Sequence, residues 1–226
     1  MALTTDVYWE NIFSTRMWGK YPPEELIRFI ARRFGSVLNK TDINILEVGC
    51  GPGPNIWFLK KEGYSVSGID GSSTAIHQAK QRIISEGLCS DIDDIDLKVG
   101  NFASLPWPDN KFDAIVDIEA IYANPMATIK ATISDICRTL KPDGLFFGKM
   151  FGRDTTGSES GEAIEPGTIV NPSIGPCAGN AVAHFFVRQE IIDLFSCFRN
   201  LQIDTLSRTD GNGVMTTSEW IVVAMK

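Results

Sequence analysis

Glycines occupy three alternate positions in Ile45-Leu46-Glu47-Val48-Gly49-Cys50-Gly51-Pro52-Gly53-Pro54-Asn55, between a short apolar run and the helical stretch Ile56–Lys61. Glycine at such a turn lets a ligand approach the backbone closely. The dinucleotide pattern G-x-G-x-x-G is not met, because the third glycine arrives one residue early and Pro54 stands in its place. Pro52 and Pro54 also lack N–H groups. A pyrophosphate is held mainly by N–H groups at a helix N-terminus, so the loop suits a nucleoside ligand without a phosphate. Asp70 lies 23 residues after Glu47, at the end of the next apolar segment. A carboxylate there can accept both ribose hydroxyls and exclude a 2′-phosphate. The competing reading of Asp70-Gly71-Ser72 is a plain turn followed by a helix cap.

Around the loop, apolar periodicity alternates between two kinds of segment. Asn44–Val48, Tyr64–Ile69, Asp96–Val99, Phe112–Ile118 and Leu145–Phe151 read as strands, mostly buried on both faces as in a parallel sheet. Between them, Leu26, Ile30, Phe34 and Leu38 recur at helical spacing after Pro22-Pro23-Glu24-Glu25. Ala75, Ile76, Ala79 and Ile83 share a helix face, with Ser72 or Ser73 as cap and Gly87 as stop. Met126, Ile129, Ile133, Ile136 and Leu140 form the clearest amphipathic stripe, ending at the turn Lys141-Pro142-Asp143-Gly144. The alternation predicts an α/β, Rossmann-like, doubly wound and mostly parallel sheet.

The last third differs. Residues 152–180 are rich in Gly, Ser, Pro and Thr with little periodicity, which reads as a long loop of the lid or binding type. A helix is expected around Ile191, Leu194, Phe195 and Phe198. Leu201–Leu206 and Glu219–Ala224, around Asp210-Gly211-Asn212-Gly213, read as an antiparallel hairpin at the sheet edge. The chain divides into an N-terminal cap region (1–40), a cofactor-binding core (41–151), a lid-like insertion (152–184) and a C-terminal helix and hairpin (185–226), all within a single domain.

Four stretches in order resemble the class I S-adenosylmethionine-dependent methyltransferases, over roughly Ile43 to Phe151. They are Glu47–Gly53, Asp70, the segment Asn101-Phe102-Ala103-Ser104-Leu105-Pro106-Trp107 running on to Phe112-Asp113, and Leu140-Lys141-Pro142-Asp143-Gly144-Leu145. The resemblance implies S-adenosyl-L-methionine as cofactor. It implies that Gly49, Cys50, Gly51 and Gly53 line its methionine and ribose portions, and that Glu47 orients the loop and faces the cationic end. Asp70, followed by Gly71 and Ser72, would bind ribose, Asn101 and Phe102 would frame adenine, and Ile118 and Glu119 would lie near the methyl group. The family usually has Asp where Asn101 stands. Asn still accepts a hydrogen bond but carries no charge, which implies slightly weaker binding.

Methyl transfer needs positioning more than chemistry from the protein, and a base only for a protonated acceptor. The candidate bases are His184 and Glu119. His184 also reads as a partly buried structural histidine, and Glu119 as a structural or cofactor-contacting residue, whereas His77 reads as a surface residue. Tyr8, Trp9, Arg16, Trp18 and Tyr21 crowd one short stretch, with Tyr8, Trp18 and Tyr21 as candidate acceptor contacts; packing on the sheet edge is the plainer reading. The net charge of −7 argues against a broad nucleic-acid surface, although Arg28, Arg32, Arg33 and Lys40 cluster loosely. No run is apolar enough to span a membrane, and Met1–Glu10 lacks the pattern of a secretory leader. Five scattered cysteines with no C-x-x-C pair predict neither a metal site nor a disulfide framework, and favour a cytoplasmic setting.

The leading expectation is therefore a methyltransferase acting on an O or N atom of a small molecule. A non-catalytic S-adenosylmethionine-binding regulatory or partner protein is the alternative. A nicotinamide oxidoreductase is disfavoured by Pro52, Pro54 and the glycine spacing.

Overall fold

Five apolar segments become the parallel part of one sheet: β1 (Asn44–Val48), β2 (Ser65–Asp70), β3 (Leu97–Val99), β4 (Phe112–Ile118) and β5 (Leu140–Phe151). The computed structural model describes residues 5–226. α1 (Thr5–Thr15) and α2 (Glu24–Phe34) precede the sheet, and α3 (Pro54–Lys61), α4 (Ser73–Ser85) and α5 (Met126–Thr139) connect its strands. β6 (Glu162–Glu165), β7 (Thr168–Val170), β8 (Val182–His184), α6 (Arg188–Leu194), β9 (Arg199–Asp210) and β10 (Met215–Met225) complete the chain. The sheet order is β3-β2-β1-β4-β5-β10-β9, and β10 alone runs antiparallel to its neighbours.

The two-residue side-chain period of the strands splits the core between the two faces. Ile45, Ala114, Val116, Leu145 and Phe147 pack with the apolar stripes of α2, α3 and α4. Leu46, Val48, Ile115, Phe146 and Val222 pack with Ile129, Ile133 and Ile136 of α5 and with Ile191 of α6. Phe147 stacks on Phe29 with ring centroids 4.8 Å apart, while Phe146 meets Phe195 at 4.9 Å on the opposite side. Both faces are covered, which is why these strands read as continuous apolar runs.

Three features depart from the sequence reading. The α2 stripe stops at Phe34, where Gly35 ends the helix, and Leu38 is fully exposed instead of continuing the face. The turn at Lys141–Gly144 is a bulge inside β5, where one residue of β4, Asp113, faces four of β5 and Asp143 has φ +63°. Residues 152–184 are not one irregular loop: β6, β7 and β8 form a small antiparallel sheet. Strands of three or four residues are too short for an alternating pattern to register.

Phe146 is fully buried at the centre of the α5/α6 side. Phe146→Ala is expected to lower stability by about 3–5 kcal/mol, read as a shift in the urea midpoint with an unchanged slope.

Candidate functional site

The glycine loop sits where β1 turns into α3, beside the strand-order reversal between β1 and β4. Gly49, Gly51 and Gly53 all have positive φ (+64°, +51° and +78°). A Cβ on Gly49 would stand 2.1 Å from the Ala120 Cβ, so that position admits no side chain. Asp70, at the end of β2, accepts the Gly51 amide and the Ser72 amide, each at 2.8 Å, one on each carboxylate oxygen.

Glu47 on β1 is 2% exposed and lines the same cavity. Its Oε1 accepts from Asn55 Nδ2 at 2.5 Å, and its Oε2 has no hydrogen-bond partner among the described residues. Burial, reinforced by the Asp117 and Asp70 charges, pushes its carboxyl well above the usual range. Asp117 of β4, fully buried, accepts the Ala120 and Ile121 amides at 3.1 and 3.0 Å and is pushed up by burial to about 7. A cation placed beside Glu47 would offset what its burial costs.

The cavity measures about 750 Å³, within the range of roughly 300–1,000 Å³ for small-molecule sites. One face of α1 lines it with Tyr8, Trp9, Ile12 and Phe13, and Arg16 just past the helix end joins them. Glu10 fastens that helix to α4, accepting Ser72 Oγ at 2.6 Å, Thr74 Oγ1 at 2.5 Å and the Thr74 amide at 3.2 Å. Gln78 Nε2 adds a bond to the Phe13 carbonyl at 3.1 Å. On the far side, Tyr8 Oη donates to Asn180 Oδ1 at 3.2 Å, and Asn180 Nδ2 donates to Tyr122 Oη at 2.8 Å. The segment before β8 thus touches the N-terminal helix across the cavity mouth.

The structure brings most of the sequence-derived residues to this cavity: Glu47, Gly49, Cys50, Gly51, Asp70, Gly71, Asn101, Phe102, Ile118 and Glu119 line it, as do Tyr8, Trp18 and Tyr21. Asn101 Oδ1 accepts the Ala103 amide at 2.8 Å, so the oxygen named for adenine already carries one bond. Gly53 and Ser72 stand behind the wall. Gly53 packs against Ala79, and Ser72 caps α4 by accepting the Ala75 amide at 3.0 Å.

His184 is not brought to the cavity. It is completely buried on β8, with Nδ1 2.7 Å from Thr168 Oγ1 and Nε2 2.9 Å from Glu190 Oε2. Both ring nitrogens have partners within the fold, so the structural alternative describes its surroundings. His77 is exposed on α4. Sequence reasoning passed over Phe13, Tyr122, Asn180, Lys149 and Glu219. Phe13 carried a signal, since Tyr8, Trp9, Ile12 and Phe13 have the spacing of one helix face. Lys149 and Glu219 carried none, because strand pairing alone brings them together.

An α/β sheet reversed beside a glycine turn, with a carboxylate one strand over, defines a nucleoside-binding crevice. Residues 45–144 match the family model described as "Methyltransferase domain". A sterol 24-C-methyltransferase of Gibberella zeae is 35% identical over 108 residues, covering 47% of this chain and 27% of that protein. A fatty-acid O-methyltransferase of Mycolicibacterium smegmatis is 28% identical over 128 residues, covering 54% of this chain and 43% of that protein. The chain therefore spans less than half the length of these curated relatives. The crystal structure of a SAM-dependent methyltransferase from Methanosarcina mazei superposes with a TM-score of 0.64 at 26% identity, covering 81% of this chain and 92% of that one. Over residues 45–144 the chain is thus similar to S-adenosylmethionine-dependent methyltransferases in sequence and in fold.

Asp117 yields a stability prediction. Its folded carboxyl titrates at about 7 against an ordinary 3.8, so the folded state holds a proton that the unfolded state loses between those values. Stability therefore falls as pH rises through that window. Asp117→Asn cannot ionise and still offers an oxygen to both amides. Its thermal midpoint relative to wild type is expected to climb from pH 4 to pH 8, by an amount worth on the order of a few kcal/mol.

Proposed function

We propose that this chain is an S-adenosylmethionine-dependent methyltransferase acting on an O or N atom of a small-molecule acceptor. The observation that carries the reading is Glu47, a residue that lines the same cavity as Asp70 and whose buried Oε2 has no hydrogen-bond partner among the described residues. Such a group fits a ligand that is cationic where it meets the loop and carries ribose one strand over.

S-adenosylmethionine, when bound, supplies a methyl group already activated on a sulfonium. The chain's residues then bind, orient and exclude water. Asp70 would accept the ribose hydroxyls and Gly71 would flank them. Gly49, Cys50 and Gly51 would let the ligand approach the backbone, and Asn101 and Phe102 would flank the base. Ile118 and Glu119, at the end of β4, would face the transferring group. Gly53 and Ser72 would act through the turn and the α4 cap that they build. The α1 face, with Trp18, Tyr21 and the segment before β8, would wall the acceptor side. We read the whole chain as one domain in which residues 152–184 serve as that wall.

Several observations support a small acceptor. The cavity is walled by aromatic side chains and is of ligand size. The net charge of −7 suits neither a nucleic-acid backbone nor a broad anionic surface. No helix among the described residues is long and apolar enough to cross a membrane. The free thiols of all five cysteines suit the reducing cytoplasm.

Calorimetry tests the reading. S-adenosylmethionine and S-adenosylhomocysteine are expected to bind in the micromolar range and NAD not at all; tight NAD binding, or no binding of the first two, contradicts it. Asp70→Ala is expected to weaken S-adenosylhomocysteine by roughly 1.5–3 kcal/mol, and an unchanged affinity would remove Asp70 from the site.

A further inference from the structure

The acceptor side of the cavity carries a charge cluster that a nucleoside does not require. Glu119 follows β4 in a left-handed conformation, φ +54°, which a non-glycine residue adopts at a cost, and its carboxyl lines the cavity. Its amide donates to the Lys149 carbonyl at 3.0 Å, fixing it against β5. Lys149 is 4% exposed, and its Nζ lies 2.8 Å from Glu119 Oε1 and 3.1 Å from Glu219 Oε2. Glu219 on β10 is completely buried. Register sets this up: Glu219 pairs with Phe151 and Ile221 with Lys149, so Lys149 and Glu219 share one face of adjacent strands.

Burying an ammonium between two carboxylates is expensive, and apolar side chains of similar size would often serve stability as well. Of the three, Glu119 lines the cavity, with Lys149 and Glu219 buried behind it. We propose that Lys149 and Glu219 are positioning residues that hold the Glu119 carboxylate as the proton acceptor for a hydroxyl or amine nucleophile. The proposal rests on the methyl-transfer reading of the cavity and names its substrate class: a protic small molecule rather than a carboxylate. In the step, the acceptor heteroatom bonds to the methyl carbon, the carbon–sulfur electron pair stays on sulfur, and the acceptor's proton passes to Glu119.

The electrostatics keep Glu119 ionised, at some expense of its basicity. Burial pushes Glu119 up, but the Lys149 ammonium outweighs it and holds Glu119 below the usual carboxylate range. Burial pushes Glu219 up to about 7. The other groups facing Glu119 are Arg208 of β9, Asp117 of β4, Tyr122 and Cys177; Arg208 lowers Glu119 further, while the Glu119 charge raises the other three. A carboxylate acceptor would meet a like charge here.

The first test uses the full chain saturated with S-adenosylhomocysteine, with glutamate side-chain carboxyls labelled with carbon-13 and titrated by NMR; Glu119→Gln identifies the resonance. Wild type is expected to show a Glu119 step below its ordinary range and a Glu219 step near 7. Lys149→Met is expected to raise the Glu119 step by about one unit or more. Glu219→Gln, whose amide still donates, is expected to remove the upper step and leave the lower one in place, which keeps the test alive if Lys149→Met fails to fold. An ordinary Glu119 titration, a step unmoved by Lys149→Met, or an upper step retained in Glu219→Gln overturns the proposal.

The second test transfers tritiated methyl to a metabolite extract and identifies the product. Alkali-stable label in an ether or methylamine supports the proposal, and an alkali-labile methyl ester or a carbon-bound methyl overturns it. Calorimetry on the same sample separates the failures. A protein that binds S-adenosylhomocysteine but fails these tests loses this proposal alone. A protein that does not bind it loses the methyl-transfer reading and this proposal together.

Discussion

The hydrogen bond from the Gly51 amide to Asp70 ties the end of β2 to the turn after β1, and the site's geometry follows from that tie. The turn runs through three glycines at positive φ, held by the Cys50 amide on the Ile69 carbonyl at 3.1 Å and the Gly53 amide on the Cys50 carbonyl at 3.0 Å. Asp70 adds a side-chain constraint and, through the Ser72 amide, also sets the start of α4. One carboxylate therefore fixes the loop, the helix entry and the acidic character of the crevice. Glu47 deepens that character from beneath, held by Asn55 on one oxygen only.

The second organising device is α1. Glu10 binds it to the N-terminal turn of α4, next to Asp70, and Tyr8 binds it through Asn180 to Tyr122. The helix thus spans the cavity from its Asp70 end to its Tyr122 end, and its aromatic face becomes one wall. Glu10 is held below the usual carboxylate range by the Ser72 and Thr74 hydroxyls, so the clasp is a set of charge-assisted bonds at a helix N-terminus.

Much of this was legible in the sequence, for physical reasons. β1 and β4 are buried on both faces, so their apolar runs marked Asn44–Val48 and Phe112–Ile118 cleanly. The α5 stripe from Met126 read true because its burial follows the helical period. The glycine loop and Asp70 were legible because backbone sterics allow few residue types there. Other features were not. α1 has aromatic residues of modest helix propensity, and its apolar face looks onto a cavity rather than a core. β6 to β8 are too short to show alternation. His184 attracted notice as a titratable side chain beside a loop, yet Thr168 and Glu190 enclose it in the small sheet region. Lys149 and Glu219 lie 70 residues apart in the chain and read singly as polar interruptions of strands; only the β5–β10 register makes them a pair.

Glu47 is a buried carboxyl with one unpartnered oxygen among the described residues, and the proposed methyl-transfer function needs a cation beside it. In the ligand-free protein burial holds its carboxyl well above the usual range. A cationic ligand beside it favours the carboxylate, so binding expels a proton at any pH where the ligand-free carboxyl is still protonated. The most direct measurement is the calorimetry of S-adenosylmethionine binding in buffers of different ionisation enthalpy, for wild type and Glu47→Gln. The account predicts net proton release in wild type that disappears in the variant; binding with no proton release, or release that survives Glu47→Gln, would contradict it.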